Sequence, residues 1–267
     1  MNSDTIQFKK SEGVATITLN RPEARNSLTP QMISDLGDAI QSCSAGEVRA
    51  VLLTGAGDAF CAGADLKGLV ARLENDGPQA LSEEIRQVAG TLHERVVLPL
   101  LRLKKPVVGA INGVAAGAGF SLMLACDLRI ASSSARFLMA YGNIGATADG
   151  GSTYRLPRIV GAAKAMELYL ASQPLSAESA LEMGLVTELS DKEALDQHAL
   201  ETAMKLAQGP TVAYGRVKEL FLSSWSSTVE DQLEAETQAF VDISLTRDLQ
   251  EGVKAFTKKR QPRFQGL

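Results

Sequence analysis

The chain contains few of the side chains from which metal centres, disulfides and catalytic triads are built. Its 267 residues include two histidines and three cysteines. Cys43, Cys61 and Cys126 have no paired spacing, which is typical of a reducing compartment, so we expect a cytoplasmic location. Two histidines, His93 and His198, are too few for a histidine-based zinc site, and we interpret both as surface helix residues. We therefore predict no metal site.

A strong charge of one sign and a long apolar run are also absent. The 27 lysines and arginines nearly balance the 31 aspartates and glutamates, which gives a net charge of −4. Nucleic-acid binding normally requires a basic surface, so we expect no nucleic-acid partner. Apolar stretches such as Val107–Ile111 are far too short to cross a bilayer, and residues 1–13 lack the apolar segment of a secretory signal. We expect no membrane partner either.

The motifs of several large enzyme classes are missing. There is no G-x-x-x-x-G-K-[ST] phosphate loop, no complete G-x-G-x-x-G and no G-x-S-x-G nucleophile turn. His93-Glu94 begins like the zinc signature H-E-x-x-H, but Val97 stands where the second histidine belongs. The sequence therefore does not indicate P-loop phosphotransfer, zinc peptidase chemistry or α/β-hydrolase chemistry.

Strand and helix patterns alternate through the first part of the chain. Val14–Leu19 alternates like a strand, and Thr29-Pro30 predicts the start of an amphipathic helix that extends to about Cys43. Residues 49–54 and 107–111 are predicted to be buried strands, and each is followed by a loop of small residues and a helix. Repeated strand–loop–helix units indicate an α/β layer architecture.

Helical patterns cover much of the remaining sequence, and few strand signals follow residue 189. Helices are predicted at residues 81–103, 162–171, 176–183, 192–207, 211–222 and 228–243. No linker is long enough to separate two independent domains. We predict an α/β core at residues 1–195, followed by a helical C-terminal region at residues 196–267.

Two loops of small residues, Phe60–Leu66 and Asn112–Gly119, occupy equivalent strand–loop–helix positions. Small side chains let a ligand approach the main chain, and the first N–H groups of a helix point outward with a positive dipole behind them. Two such amides that converge on a thioester oxygen would form an oxyanion hole, which stabilises an enolate. Tight packing is the better explanation for either loop alone, but their equivalent positions favour a ligand site.

Several short segments of the chain occur together, in this order, in one enzyme superfamily. They are Leu19–Pro22 with Asn26, Phe60–Leu66, Lys105-Pro106, Asn112–Gly119, Cys126–Leu128, Arg155–Pro157, Ala180 with Gly184–Val186, and Gly252 with Phe256 and Lys259-Arg260. Along essentially its whole length the chain resembles the crotonase (enoyl-CoA hydratase/isomerase) superfamily. The resemblance implies a spiral core of ββα repeats and a helical C-terminal region that builds trimers, often paired into hexamers. It also implies an acyl-CoA substrate, and no cofactor beyond the coenzyme A of that substrate.

The resemblance also implies roles for individual residues by their position in the motifs. The backbone amides of Ala64 and Ala118 correspond to the oxyanion hole. The residues that correspond to the coenzyme A site are Ala24, Ala62, Asp65 and Leu66. Phe256 and Lys259 correspond to a C-terminal element that reaches the coenzyme A of a neighbouring subunit.

The acid/base positions depart from those of the superfamily's hydratases, which use two glutamates to activate water. The first glutamate position is Ser121 here, and the second is Tyr141. Serine and tyrosine ionise far above neutral pH, so neither is an easy general base. We expect both residues to line the acyl pocket. In that role Ser121 is a small residue that makes room, and Tyr141 fills space or donates a hydrogen bond.

Asp149 is the remaining candidate for an acid/base residue. By itself it would be interpreted as the N-cap of a following helix. The resemblance aligns it with the catalytic aspartate of dienoyl-CoA isomerases, ring-epoxide phenylacetyl-CoA isomerases and 4-chlorobenzoyl-CoA dehalogenase. The dienoyl isomerases have a second carboxylate where Ser121 stands, and the dehalogenases have a histidine where Leu98 stands. The phenylacetyl-CoA isomerases match best.

The combined prediction is an acyl-CoA isomerase that shifts a carbon–carbon double bond through an enolate. Asp149 moves the proton, and the amides of Ala64 and Ala118 hold the enolate oxygen. Two other hypotheses remain. One is an atypical enoyl-CoA hydratase or CoA-thioester hydrolase in which Asp149 activates water. The other is a non-catalytic CoA-binding crotonase homologue, for which a retained Asp149 has no obvious use.

Overall fold

The computed structural model describes residues 3–267. Its strands are β1 (Ile6–Ser11), β2 (Val14–Leu19), β3 (Ala50–Gly55), β4 (Ala59–Cys61), β5 (Val107–Ile111), β6 (Val114–Ala116), β7 (Leu128–Ser132), β8 (Arg136–Leu138), β9 (Leu175–Ser176) and β10 (Glu188–Ser190). Its α-helices are α1 (Pro30–Ser42), α2 (Leu66–Leu92), α3 (Leu98–Arg102), α4 (Ala118–Leu124), α5 (Ser152–Val160), α6 (Ala162–Ala171), α7 (Ala177–Glu182), α8 (Leu195–Ala207), α9 (Thr211–Ser223), α10 (Val229–Ser244) and α11 (Arg247–Thr257). Two 3₁₀ turns, Pro22–Ala24 and Tyr141–Ile144, and one π-helical turn, His93–Val97, complete the regular structure of this part of the chain.

The strands form two sheets. The first has the order β1-β2-β3-β5-β7-β10, and the second has the order β4-β6-β8-β9. Along the chain, one strand enters the first sheet, the next enters the second sheet, and a helix follows, as in β3-β4-α2 and β5-β6-α4. Successive repeats run parallel, since β3 pairs with β5 and β4 pairs with β6. The core is therefore a stack of ββα units.

Apolar side chains fill the space between the two sheets and the helices that follow them. Among the largest fully buried side chains are Ile17, Leu36, Leu53, Phe60, Phe120 and Phe137. On the other face of the first sheet, α8 packs a row of alanines against Val108 and Ile130. The predicted boundary after residue 195 falls at the first residue of α8, and the division into two regions stays a prediction.

The last three helices leave large apolar side chains at the surface. Phe221 on α9 and Phe240 on α10 are each 68% exposed, and Phe256 near the end of α11 is 85% exposed. Exposed aromatic residues on neighbouring helices are typical of a protein–protein interface. Within residues 3–267, no helix has both the length and the apolar composition to cross a membrane.

Most of the strong sequence patterns correspond to elements of the structure. Helix α1 begins as predicted, because the Thr29 side chain accepts a hydrogen bond from the Met32 amide. Ser176 caps α7 in the same way. Strand β5 spans Val107–Ile111, as predicted.

The sequence prediction missed strands β1, β4, β6, β8, β9 and β10 and helix α11, and it misplaced the start of α2. The two small-residue loops each contain a strand of only three residues, β4 and β6, which is too short to show a period. Helix α2 begins at Leu66 rather than residue 81. The sequence did not indicate its first half, because that half is exposed and so lacks an apolar stripe, and because Gly77 (φ 83°) and Pro78 interrupt it. Helix α11 was not predicted.

Candidate active site

Strands β4 and β6 bring the two small-residue loops to the same edge of the second sheet. The strands are parallel neighbours, so the residues that follow them, among them Ala64 and Ala118, emerge side by side. Gly119 makes this possible, since a methyl group there would lie 2.1 Å from the Cys61 carbonyl oxygen. A methyl group on Gly63 would lie 3.4 Å from the Ala118 amide nitrogen. The two loops are therefore in direct contact.

The amides of Ala64 and Ala118 are similar in that neither is used by the hydrogen bonds of the surrounding fold in the described chain. The residues on either side of Ala64 bond to Leu28, which donates to the Gly63 carbonyl (N···O 2.7 Å) and accepts from the Asp65 amide (N···O 3.1 Å). Ala118 is the first residue of α4, where a helical N–H has no acceptor within the helix. Neither amide has a protein acceptor among residues 3–267. The oxyanion role of the two amides stays a prediction, and this geometry is consistent with it.

The residues predicted to line coenzyme A lie on one surface beside the first loop. The Ala62 amide donates to the carbonyl of Arg25 (N···O 3.0 Å), which directly follows Ala24. Asp65 forms an ion pair with Arg21 (Nη2···Oδ2 3.1 Å), so the 3₁₀ turn that carries Ala24 packs against the loop. Leu66 is 45% exposed.

Phe256 and Lys259 lie elsewhere in the chain. They stand at the exposed end of α11, and no hydrogen bond or ion pair in the described chain connects them with the loop at residues 62–66. Their predicted contact with the coenzyme A of a neighbouring subunit is therefore not tested within a single chain.

Three residues from the predicted acid/base positions meet in one hydrogen-bonded cluster. The Tyr141 hydroxyl donates to Oδ1 of Asp149 (2.6 Å), and Ser121 Oγ lies 2.9 Å from the Tyr141 oxygen. Ser121 Oγ also lies 2.9 Å from the main-chain carbonyl oxygen of Asp149. Ser121 and Ala118 are both on α4, three residues apart, so the cluster lies within about one helical turn (~5 Å) of the Ala118 amide.

Tyr141 acts in this cluster as a hydrogen-bond donor. Burial raises the pKa of Tyr141 far above its ordinary value, and the negative charge of Asp149 and the hydrogen bond to it raise the pKa further. The phenol therefore stays protonated. Asp149 Oδ2 has no donor among residues 3–267, and because no buried side-chain oxygen in that range lacks a partner, Oδ2 must be accessible.

Two interpretations of these residues change. Asp149 is not the N-cap of α5, because the helix begins at Ser152 after Gly151 and the Asp149 side chain bonds to Tyr141 instead. Ser121 does more than make room, since its hydroxyl bonds to both Tyr141 and Asp149. Whether any of the three contacts the acyl group stays a prediction.

Sequence reasoning missed His93. It was interpreted as a surface helix residue, but it is half-buried in the π-helical turn, and its Nε2 accepts a hydrogen bond from the Gly150 amide (3.2 Å). Its sequence neighbourhood carries no signal for this contact.

A family model described as enoyl-CoA hydratase/isomerase matches residues 9–266. The chain belongs to this family. It is 39% identical to 1,2-epoxyphenylacetyl-CoA isomerase of Escherichia coli K12 over 256 residues, which cover 96% of each chain. It is also 39% identical, over 266 residues and 100% of each chain, to a Rhodobacter capsulatus protein named as an enoyl-CoA hydratase.

A crystal structure of an enoyl-CoA hydratase/isomerase from Mycobacterium abscessus matches the fold, with a TM-score of 0.92 and 36% identity. The match covers 98% of this chain and 100% of that one. The predicted crotonase superfamily and α/β crotonase fold are thereby confirmed. Family membership implies an acyl-CoA substrate. The names of the relatives include both isomerases and hydratases, so they do not decide the reaction.

Proposed function

We propose that this protein isomerises a carbon–carbon double bond in an acyl-CoA thioester by a 1,3-proton shift. Asp149 removes a proton from one carbon of the acyl chain and returns it two carbons along, while the Ala64 and Ala118 amides hold the enolate oxygen. The observation that carries the proposal is the cluster in which Tyr141 and Ser121 bond to Asp149. The only carboxylate of the cluster accepts from Tyr141, and Ser121 bonds to Tyr141 and to the main-chain carbonyl of Asp149. One carboxylate with two hydroxyls at the hydratase glutamate positions supports one-base chemistry over water addition.

The two hydroxyls can serve both protonation states of Asp149. When Asp149 is ionised, Tyr141 donates to Oδ1 and Ser121 donates to the Tyr141 oxygen or to the Asp149 carbonyl. When Oδ2 carries the proton taken from the substrate, Oδ1 still accepts from Tyr141, and Ser121 keeps its bonds to the Tyr141 oxygen and the Asp149 carbonyl. No hydroxyl is left without a partner in either state. This suits a carboxyl group that takes a proton and later returns it.

The accessible oxygen of Asp149 is the atom that exchanges the proton with the substrate. Oδ1 is occupied by the Tyr141 hydroxyl, which fixes the plane of the carboxylate. Oδ2 remains for the acyl carbon, since no described residue donates to it. Tyr141 cannot take over as the base, because its raised pKa keeps it protonated.

Coenzyme A enters as part of the substrate in this proposal, and no further cofactor is proposed. The thioester carbonyl lies between the amides of Ala64 and Ala118. The remainder of coenzyme A follows the surface formed by Ala24, Ala62, Asp65 and Leu66, where the turn at Ala24 packs on the loop. The closeness of the two loops supports this path.

We propose that the protein assembles as a trimer or a pair of trimers. The exposed aromatic side chains of α9, α10 and α11 support self-association, because they would be covered by a second copy. A cytoplasmic location is also proposed. It is supported by three buried cysteines that remain unpaired, as in a reducing compartment.

The experiment is incubation with a panel of enoyl-, dienoyl- and aromatic-ring CoA thioesters in deuterated water, followed by mass spectrometry. Isomerisation gives a product that has gained no water and that chromatography separates from the substrate, and its deuterium content measures how far the Asp149 proton exchanges with solvent. A product that has gained one water molecule would instead establish the atypical hydratase, and free coenzyme A would establish the hydrolase. Binding without any turnover across the panel would establish the non-catalytic homologue.

A further inference from the structure

One peptide group next to the carboxylate is held from both sides. The carbonyl of Asp149 accepts hydrogen bonds from Ser121 Oγ (2.9 Å) and Ser152 Oγ (2.8 Å). The N–H of Gly150 belongs to the same peptide group and points the opposite way, where it donates to Nε2 of His93 (3.2 Å). The plane of this peptide determines the backbone direction on both sides of it, and therefore the direction of the Asp149 side chain.

The main chain at Gly150 and Gly151 packs closely against its neighbours. Gly150 has a φ of +60°, in the left-handed region that glycine adopts without strain. A methyl group on Gly150 would lie 2.7 Å from Cβ of Ser121, so α4 contacts the main chain directly. On the other side, a methyl group on Gly151 would lie 3.4 Å from Cγ1 of Val97, in the π-helical turn. The loop is thus clamped between α4 and that turn.

The π-helical turn is itself fixed to α1. The Leu98 amide donates to the His93 carbonyl five residues back, which is the bonding that defines the turn. Arg95 donates to Ser34 Oγ on α1 (2.8 Å) and to Asp38. Residues two apart on a helix lie on nearly opposite sides, so Arg95 faces α1 while His93 faces the Asp149 loop. His93 is therefore presented by an anchored segment.

We propose that His93 is a positioning residue for the acid/base carboxylate. Its imidazole accepts the Gly150 N–H and so holds the Asp149–Gly150 peptide in the orientation that aims Asp149 at the acyl chain. The inference rests on the proposed function of Asp149. An accepting Nε2 carries no proton, so His93 is neutral in this arrangement, with its proton on Nδ1. The role requires an acceptor at this point in space and not a charge.

The test compares two substitutions that differ in that acceptor. His93→Gln keeps an oxygen acceptor at a similar reach, and His93→Leu removes it while retaining an apolar side chain. We expect kcat of His93→Leu to fall about 10²-fold, the usual effect of misplacing a reacting group by about an ångström. KM should stay close to that of the wild type, because the oxyanion amides and coenzyme A contacts are untouched. His93→Gln should recover most of kcat.

A second readout needs no substrate. Hydrogen exchange followed by mass spectrometry should show faster exchange at residues 149–151 in His93→Leu than in the wild type or His93→Gln. His198→Leu, which changes the other histidine on the distant surface of α8, is the matched control and should change neither readout. Equal melting temperatures of the variants would exclude general unfolding as the cause of a lower kcat.

Failure of this inference and failure of the proposed function give different results. If the thioester panel yields no isomerised product, the proposed function fails. If isomerised product forms in His93→Leu at the wild-type rate and exchange at residues 149–151 is unchanged, the positioning role of His93 is wrong. Equal loss of kcat in His93→Gln and His93→Leu would also overturn it, because the acceptor would then not matter.

Discussion

The acid/base cluster and the end of α11 were both predicted to belong to one site, but a single chain builds only the first of them. Ser121 and Tyr141 are almost completely buried and bond to each other and to Asp149. At the end of α11, Phe256 is 85% exposed, and Lys259 is exposed beside it. In the proposed function the chemistry is therefore local to one subunit, and the predicted contact of Phe256 and Lys259 with coenzyme A needs a neighbouring subunit.

This difference predicts a division of kinetic effects. Changes in the cluster should lower kcat with little change in KM, because they alter groups that act during proton transfer. Changes at α11 should raise KM with little change in kcat, because they remove binding that is equal in the ground state and the transition state. The predictions below test this division in order of decreasing effect.

The largest effect is expected for Asp149→Asn. Asparagine is nearly isosteric but cannot accept and return a proton, so isomerisation should fall by roughly 10²- to 10⁴-fold. The melting temperature should stay within a few degrees of the wild type, because Asp149 does not cap α5. Turnover and melting temperature are measured on the same preparation. Asp58→Asn, a surface change on the Lys192 ion pair, is the matched control and should keep full turnover.

Nearly normal turnover in Asp149→Asn, together with a clear loss of melting temperature, would reverse this assignment. It would mean that Asp149 has a structural role, and that the cluster does not carry the proton transfer that distinguishes it from the end of α11.

Tyr141→Phe should have the next largest effect. It removes the hydroxyl that fixes Asp149 and leaves Ser121 without one of its partners. A hydrogen bond to a charged group contributes about 1.5–3 kcal/mol, so kcat should fall about 10- to 100-fold while KM changes little. Steady-state kinetics on the isomerised substrate give both constants. The control is Tyr214→Phe on α9, and a drop in kcat equal to that of Tyr141→Phe would show that the effect is not specific.

The pH profile of kcat should show no fall at alkaline pH that is caused by ionisation of Tyr141. The pKa of Tyr141 is raised by its burial and by Asp149, so the protonated donor persists to higher pH than for an ordinary tyrosine, whose pKa is about 10. We therefore expect kcat to be level from about pH 8 to about pH 10. A fall in kcat centred near pH 10 that disappears in Tyr141→Phe would contradict the burial argument.

Disruption of assembly should affect binding before chemistry. Phe221→Asp places a charge on the exposed aromatic surface of α9, and we expect light scattering to show a mass lower than that of the wild-type trimer or hexamer. KM should rise because coenzyme A loses its predicted contact with α11 of a neighbouring subunit. The value of kcat at saturating substrate should be retained. A stable wild-type monomer at micromolar concentration would refute the proposed assembly outright.

The smallest effect is expected for Lys259→Ala. An exposed lysine that meets a phosphate contributes on the scale of a surface ion pair, so KM should rise only about two- to fivefold with kcat unchanged. The increase should shrink at high salt because the charges are screened. Lys258→Ala is the matched control, since this neighbouring lysine is not part of the motif. An equal change in both variants would point to general charge and not to a specific contact.

The parts of this site that the sequence predicts are those that depend on local pattern. The loops at residues 60–66 and 112–119 and the position of Asp149 follow from motifs that are contiguous in the chain. The bond between Tyr141 and Asp149 does not. It requires a 3₁₀ turn at Tyr141–Ile144, flanked by two residues with left-handed backbone, Ala140 and Gly145. No periodic pattern in the sequence predicts this turn.

Long-range contacts explain what the sequence could not predict. His93 meets Gly150 across 57 residues, and only because a π-helical turn presents the imidazole to the Asp149 loop. Strands β4 and β6 are recognised by their pairing with each other and not by their own three residues. Local motifs therefore predict the family, while the groups that support Asp149 are found only in the three-dimensional structure.

The most direct test of the isomerase proposal follows a labelled hydrogen through one turnover. A β,γ-unsaturated acyl-CoA that carries deuterium on the α carbon is converted in ordinary water, and the product is examined by mass spectrometry and NMR. Because the same Asp149 carboxyl takes and returns the proton, we predict an α,β-unsaturated product in which part of the deuterium has moved to the γ carbon. A product that is heavier by one water molecule and retains all its α deuterium would contradict the proposal.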